Sequence, residues 1–121
     1  MARTVINVSK APVRNNPSAA VATSTFFKAL DASAGGEILW DEKDDFVTII
    51  LQNTASSSGT AVIKCGDGPN AVEDLQVVIP ASSTVCVGLD SARFKVTKGT
   101  DKGKVLLTGP ATISVAVVVS P

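Results

Sequence analysis

Apolar residues in this chain either alternate with polar ones or gather in short runs, and Gly, Pro, Ser, Asp and Asn punctuate the runs. A period of two turns one side of a strand to a core and the other to solvent, whereas a short unbroken run suits a strand buried on both faces. The clearest strand is Phe46-Val47-Thr48-Ile49-Ile50-Leu51-Gln52-Asn53, closed by the loop from Thr54 to Gly59 and followed by a partner from Thr60 to Cys65. Further strands are predicted at Thr4 to Ser9, Phe26 to Leu30, Glu37 to Trp40, Leu75 to Ile79, Thr84 to Leu89, Arg93 to Thr97, Lys104 to Thr108 and Ile113 to Val119. In Arg93 to Thr97, Phe94 and Val96 share one face while Arg93, Lys95 and Thr97 share the other, a one-sided burial pattern. The valines ending the last strand imply burial on both faces, inside a sandwich or against another subunit. Phe26 and Phe27 are neighbours, so in a strand they point to opposite faces and one of them is free to meet a partner. Gly66-Asp67-Gly68-Pro69-Asn70 marks a reversal, because Gly and Asn accept positive φ and Pro fixes its own φ near about −65°.

No long helical period, coiled-coil heptad or internal repeat interrupts this pattern. The fold class expected is all-β: an antiparallel β-sandwich, jelly-roll or immunoglobulin-like, or a small barrel, with eight or nine strands. Residues 1–24 differ. Between Ala11 and Thr23, Pro12, Arg14, Asn15, Asn16 and Pro17 mix with small residues, so a regular helix is forbidden and little apolar surface is available for packing. They are expected to be an extended amino-terminal arm with a short strand, ordered by a neighbour, and residues 25–121 a single sandwich domain. A length of 121 residues fits one core, and with aromatics at only 4% that core must be filled by Val, Ile, Leu and Ala. The longest apolar run, Val115 to Val119, falls far short of the roughly 20 residues needed to cross a bilayer, so no membrane association is expected. The first ten residues lack the apolar stretch of a secretory signal, and synthesis in the cytoplasm is expected.

Charge and chemistry narrow the function. Eleven basic and eleven acidic residues cancel, which removes the electrostatic footprint of a nucleic-acid binder and the repulsion that opposes self-assembly. The acidic run Asp41-Glu42-Lys43-Asp44-Asp45 and the basic stretch Arg93, Lys95, Lys98, Lys102 and Lys104 can complement each other between identical subunits, or form two solvated loops. The chain has no histidine, so the usual partner of a nucleophilic Ser or Cys is missing. Asp41, Glu42, Asp44 and Asp45 read more simply as a solvated turn than as a glycosidase pair. Asp67, Asn70, Glu73 and Asp74 lack EF-hand spacing, and Gly66-Asp67-Gly68 lacks the Gly-Lys-Ser/Thr ending of a phosphate loop. Cys65 and Cys86 are expected to be free, packed thiols. No catalytic residue, cofactor or metal site is expected, and the chain reads as a non-enzyme. Trp40, beside Asp41, is a partly buried core or interface anchor, with a sugar-stacking platform as the alternative.

From Phe46 to Pro121 the order of segments resembles the small head decoration, or capsid cement, proteins of tailed bacteriophages. The resemblance lies in a strand ending at Cys65-Gly66-Asp67-Gly68, then Leu75-Gln76-Val77-Val78-Ile79-Pro80-Ala81, then Val87-Gly88-Leu89-Asp90-Ser91-Ala92-Arg93-Phe94. Gly103-Lys104-Val105-Leu106-Leu107-Thr108-Gly109 and the valine-rich last strand complete it. It implies a structural virion protein that binds and stabilises the capsid surface after assembly in the host cytoplasm. The partners implied are the major capsid protein and further copies of the chain, as a trimer. The alternatives are a tail or head-fibre component and a carbohydrate- or surface-binding module using Trp40. The residues expected to meet partners are Arg3, Val5 and Arg14 on the arm, and Phe26, Trp40 and Arg93 on the domain.

Overall fold

The strongest alternating segment becomes the middle of the molecule. The computed structural model describes residues 2–6, 8–10, 20–40, 47–68 and 73–119. Ten strands are found among them: β1 (Thr4–Val5), β2 (Val8–Lys10), β3 (Lys28–Ala29), β4 (Gly36–Leu39), β5 (Val47–Asn53), β6 (Gly59–Ile63), β7 (Leu75–Ile79), β8 (Thr84–Val87), β9 (Lys104–Thr108) and β10 (Ile113–Val119). β5 buries Val47, Ile49, Leu51 and Asn53 and pairs along its whole length with β10, which buries Ile113, Val115, Val117 and Val119. Each of these aliphatic side chains contributes about 1.5–3 kcal/mol by leaving water. Ile38, Ala61, Ile63, Ile79, Val105 and Leu107 answer them from the other sheet. The core is thus aliphatic, as the scarcity of aromatics requires.

The pairing is nested. β6 pairs antiparallel with β7, β5 with β8, β4 with β9 and β3 with β10. Successive pairs fall in alternate sheets, giving the orders β1-β4-β9-β6-β7 and β2-β10-β5-β8, with β3 beside β10. The result is a two-sheet all-β sandwich and not a closed barrel.

Three expectations need correction. The sheets are mixed, because β1 runs parallel to β4 and β2 parallel to β10. Parallel neighbours need a long connection, and here more than twenty residues separate each of these strands from its partner. Secondly, the start of the expected arm packs on its own sandwich. β1 extends one sheet, Ile6 dips between the layers at 3% exposure, and β2 extends the other. The single apolar residue Ile6 supplies the packing that the reading of an arm overlooked. Of the rest of that arm, residues 11–19 lie outside the described residues, and its end runs into a four-residue helix, Thr23–Phe26. Thirdly, Arg93 to Thr97 is not a strand. Asp90 caps a short helix α2 (Ser91–Phe94), its carboxylate accepting the Ala92 N–H at 2.9 Å, and the cap outweighs the alternating pattern. Phe94 is still buried, at 3%.

Candidate functional site: the outer face at the amino-terminal edge

The face that gathers the most chemistry is built by β1, β4 and β9. In Glu37-Ile38-Leu39-Trp40 the period of two sends Ile38 and Trp40 inward and leaves Glu37 and Leu39 outside. Register sets Val5 beside Glu37, Glu37 beside Leu106, and Leu39 beside Lys104. Val5 is 64% exposed and Leu39 58%.

Two turns place the charges. In the first, the Asp31 carboxylate accepts the N–H groups of Ser33 and Ala34, each at 2.9 Å, which holds it below the usual carboxylate range, Ala34 contributing most. Gly35 follows at φ +82°, and its carbonyl accepts the Thr4 N–H at 3.0 Å. A Cβ on Gly36 would lie 2.7 Å from the end of the Leu30 side chain and 2.9 Å from that of Ile6, so glycine lets both pack closely under β1. The second is the 3₁₀ turn Gly99–Asp101, entered at φ +77° and followed by Gly103 at φ +87°. It carries Asp101 back to the first strand.

There Arg3 donates a bidentate pair to Asp101, 2.9 Å on each arm, and reaches Glu37 at 3.5 Å. Lys104 closes the ring, 2.7 Å from Glu37 and 3.9 Å from Asp101. The hydrogen bond to Asp101 raises the Arg3 guanidinium above its ordinary value, and Arg3 in turn lowers Asp101. Two cations and two anions alternate, so the cluster is neutral. Such half-exposed pairs orient β1 more than they stabilise the fold. The cluster borders a shallow hollow lined by Ala2, Arg3, Val5, Ala34 and Glu37. An apolar space of about 10 Å³ against Trp40, Val47 and Val117 is too small for a ligand.

Of the residues expected to meet a partner, Arg3 and Val5 come together here. Trp40 does not; it is 2% exposed in the core, so its ring offers neither an interface anchor nor a sugar platform. Phe26 ends a four-residue helix α1 (Thr23–Phe26), and its ring meets that of Phe27 edge to face at 5.2 Å, so the pair does not split between opposite faces. Arg93 lies away from this site, donating to the Glu73 carbonyl at 3.2 and 3.0 Å with its guanidinium 4.7 Å over Phe94. Arg14 and the acidic run 41–45 lie outside the described residues. Within the basic stretch, Lys104 pairs with Glu37 and Asp101, and Arg93 donates to the Glu73 carbonyl. Sequence reasoning missed Glu37, Leu39, Asp101 and Lys104. Period two signalled the outward direction of Glu37 and Leu39, but nothing local joins Arg3 to Asp101.

The other candidate chemistry is occupied by the fold. Asp67 accepts the Thr97 hydroxyl at 2.6 Å and its N–H at 2.7 Å, which lowers its pKa. Asp74 binds Lys64 at 2.9 Å and the Cys65 N–H at 2.7 Å and is pulled down from 3.8 to about 2, Lys64 being the largest cause. Asp74 also pushes the Cys65 thiol up, the reverse of what a nucleophile needs. Both cysteines are free, but Cys65 is half-buried and Cys86 exposed on the outer face of β8, so neither is the core residue expected. Among the described residues, no three metal-ligating side chains converge, and no helix is long and apolar enough to cross a membrane. Comparison with protein-family models, curated proteins and solved structures gives no match.

Proposed function

We propose that this chain is a structural virion subunit, a decoration or cement protein that binds and stabilises the outer surface of a tailed-bacteriophage capsid without catalysing a reaction. The observation that carries the reading is the strand order. Four nested antiparallel pairs in alternate sheets, β3-β10-β5-β8 over β4-β9-β6-β7, follow a jelly roll, to which β1 and β2 add parallel edges. Jelly rolls build viral capsid and lectin domains. The buried Trp40 weakens the lectin branch, and the resemblance of residues 46–121 to decoration proteins favours the virion branch. Its partners on this reading are the major capsid protein and further copies of itself.

The contact face is the one built by β1, β4 and β9, where exposed Val5 and Leu39 flank a neutral ring of paired charges. Such a face suits a protein partner, because apolar contact is available without unpaired charge to desolvate. The test is co-sedimentation with tailed-phage shells assembled without the protein, followed by cryo-electron microscopy of the decorated particles. The wild type should occupy symmetric outer sites and protect the shells against heat. Val5→Asp with Leu39→Asp should cut occupancy at least tenfold while leaving the melting temperature within a few degrees. Equal occupancy by that variant sinks the contact face, and density confined to the tail sinks the decoration role.

A further inference from the structure

The two sides of the sandwich are sealed differently. On one side the chain passes from β1 to β2 and Ile6 closes the gap between the layers. On the other, among the described residues, each sheet ends on a strand paired along one edge only, β7 with β6 and β8 with β5. Their inward-facing residues Leu75, Val77, Val85 and Val87 pack against the core yet stay partly exposed. Neither strand, Leu-Gln-Val-Val-Ile or Thr-Val-Cys-Val, carries a charge or a proline, and Val78 is 60% exposed. Natural sheets protect edges with such residues, so a bare, apolar edge is a template for another strand.

Backbone direction can be read from two hydrogen bonds. The Lys64 N–H donates to Leu106 on β9, so alternate residues Ile63, Ala61 and Gly59 address β7, and their partners Leu75, Val77 and Ile79 address β6. The N–H and C=O groups of Gln76 and Val78 therefore face outward. Likewise the Asn53 N–H donates to Ser83, so Val85 and Val87 address β5 and the groups of Thr84 and Cys86 face outward. Asn53 also sets the level of the two edges. Its N–H binds Ser83 at 2.9 Å and its Nδ2 binds Ile79 at 3.0 Å, which places Val85 and Val77, each two residues further down, at one height.

We propose that β7 and β8 form the contact through which two copies of this chain pair about a two-fold axis perpendicular to the sheets, passing through Val77 and Val85. Gln76 then lies opposite Val78 of the second copy and Thr84 opposite its Cys86, so the outward groups match in both layers. Pro80 disfavours one alternative register, because centring the pair on Val78 would set Gln76 against a residue with no N–H. Val77 and Val85 meet their own counterparts and the open side of each core is covered. A second copy fits because the surface is self-complementary and the chain is neutral, with eleven charges of each sign.

Edges roughly 17 Å long in layers about 10 Å apart bury on the order of 700 Å² in total, below the 1,200–2,000 Å² of stable interfaces. The dimer should therefore dissociate near micromolar concentration or above. This deepens the reading of the chain as a subunit but stands on the β7 and β8 edges, not on the face proposed to meet a shell. The threefold state expected from the resemblance would need a different contact.

Sedimentation velocity on the full chain from about 1 to 300 μM tests this. The mass should rise from 12.3 kDa toward twice that value. Val78→Pro removes an outward N–H and spares the β6 ladder, so it should keep a dispersed amide spectrum and weaken pairing at least tenfold. Val78→Lys should do the same. In a Cys86→Ser background, Gln76→Cys mixed with Val78→Cys should oxidise to a covalent dimer faster than either variant alone. A monomer throughout, a trimer, or a folded Val78→Pro that still pairs overturns the proposal. If Val78→Pro does not fold, Val78→Lys and the mixed cross-link decide. Shell binding with no pairing would retire this contact and leave the capsid reading standing; pairing without shell binding would do the reverse.

Discussion

Replacing Asn53 by Ala should be among the most damaging single changes in this protein. Asn53 is 1% exposed, the sole buried polar or charged residue among those described, and it sits where the two sheets converge on the 54–58 loop. Its Nδ2 donates to Ser57 at 2.9 Å and to Ile79 at 3.0 Å, and its Oδ1 accepts the Ala55 N–H at 3.0 Å. Three such bonds contribute about 1 kcal/mol each, so Asn53→Ala should cost about 3 kcal/mol. An unfolding entropy of about 2.1 cal/mol/K per residue over the 121-residue chain amounts to about 0.25 kcal/mol/K. The melting temperature should then fall by roughly 12 °C. Asn53→Asp should be worse at neutral pH, because a carboxylate would face two carbonyl oxygens in place of a donor. That surroundings-raised pKa makes the variant recover stability as pH falls through it, the protonated form having an O–H to donate. Thermal melts and urea titrations of wild type and both variants provide the measurement. A shift below about 4 °C for Asn53→Ala, with an unchanged denaturant slope, would refute the inference that this amide joins the two sheets.

Glycine positions give a graded set: Gly35→Ala, at φ +82° with its new Cβ 2.0 Å from the Leu107 carbonyl oxygen, should fail to fold or melt far lower. Gly99→Ala, at φ +77° in open space, should cost only about 1 kcal/mol, and Gly88→Ala, with nothing within 4 Å and no positive φ, should be neutral. Equal melting temperatures for Gly35→Ala and Gly88→Ala would refute that order. Asp74 has a folded pKa of about 2 against an ordinary 3.8, so its contribution is present in full above about pH 4 and is lost as pH falls toward 2. Asp74→Asn should melt below wild type at neutral pH and converge with it near pH 2, and carboxyl NMR of the wild type should titrate Asp74 near 2 rather than 3.8.

Part of the candidate site could be read before folding. Arg3 and Val5 are legible in the amino-terminal segment, and alternation with Ile38 and Trp40 carries a signal for the outward direction of Glu37 and Leu39 that the strand reading alone did not use. For Trp40 the sequence leaves a core and an interface reading open, because a lone aromatic beside an acidic run suits either, and the fold takes the core one. Its position is set by parity with Ile38 and by the Gly103 carbonyl, which accepts its backbone N–H at 2.8 Å. The strands expected at Phe26 and Arg93 give way to short helices because a single helical turn satisfies local backbone groups at the expense of an alternating pattern. At α2 the signal was Asp90, a capping residue at the head of Ser91-Ala92-Arg93-Phe94.

The sequence by itself determined the class of fold and most of its strands. Burial of alternate aliphatic residues is a local, repeated gain of about 1.5–3 kcal/mol per side chain that each strand registers independently. It also determined the aliphatic core and the reversal that begins at Gly66. The tertiary structure decided the rest: parallel attachment of β1 and β2, the ring of Arg3, Glu37, Asp101 and Lys104, and the two bare edges on the side away from Ile6. Each of these depends on contacts between residues far apart in the chain, Arg3 and Asp101 being 98 positions apart. Their geometry follows from how four nested pairs wind into two layers, and no local pattern of apolar and polar residues encodes which distant strands become neighbours.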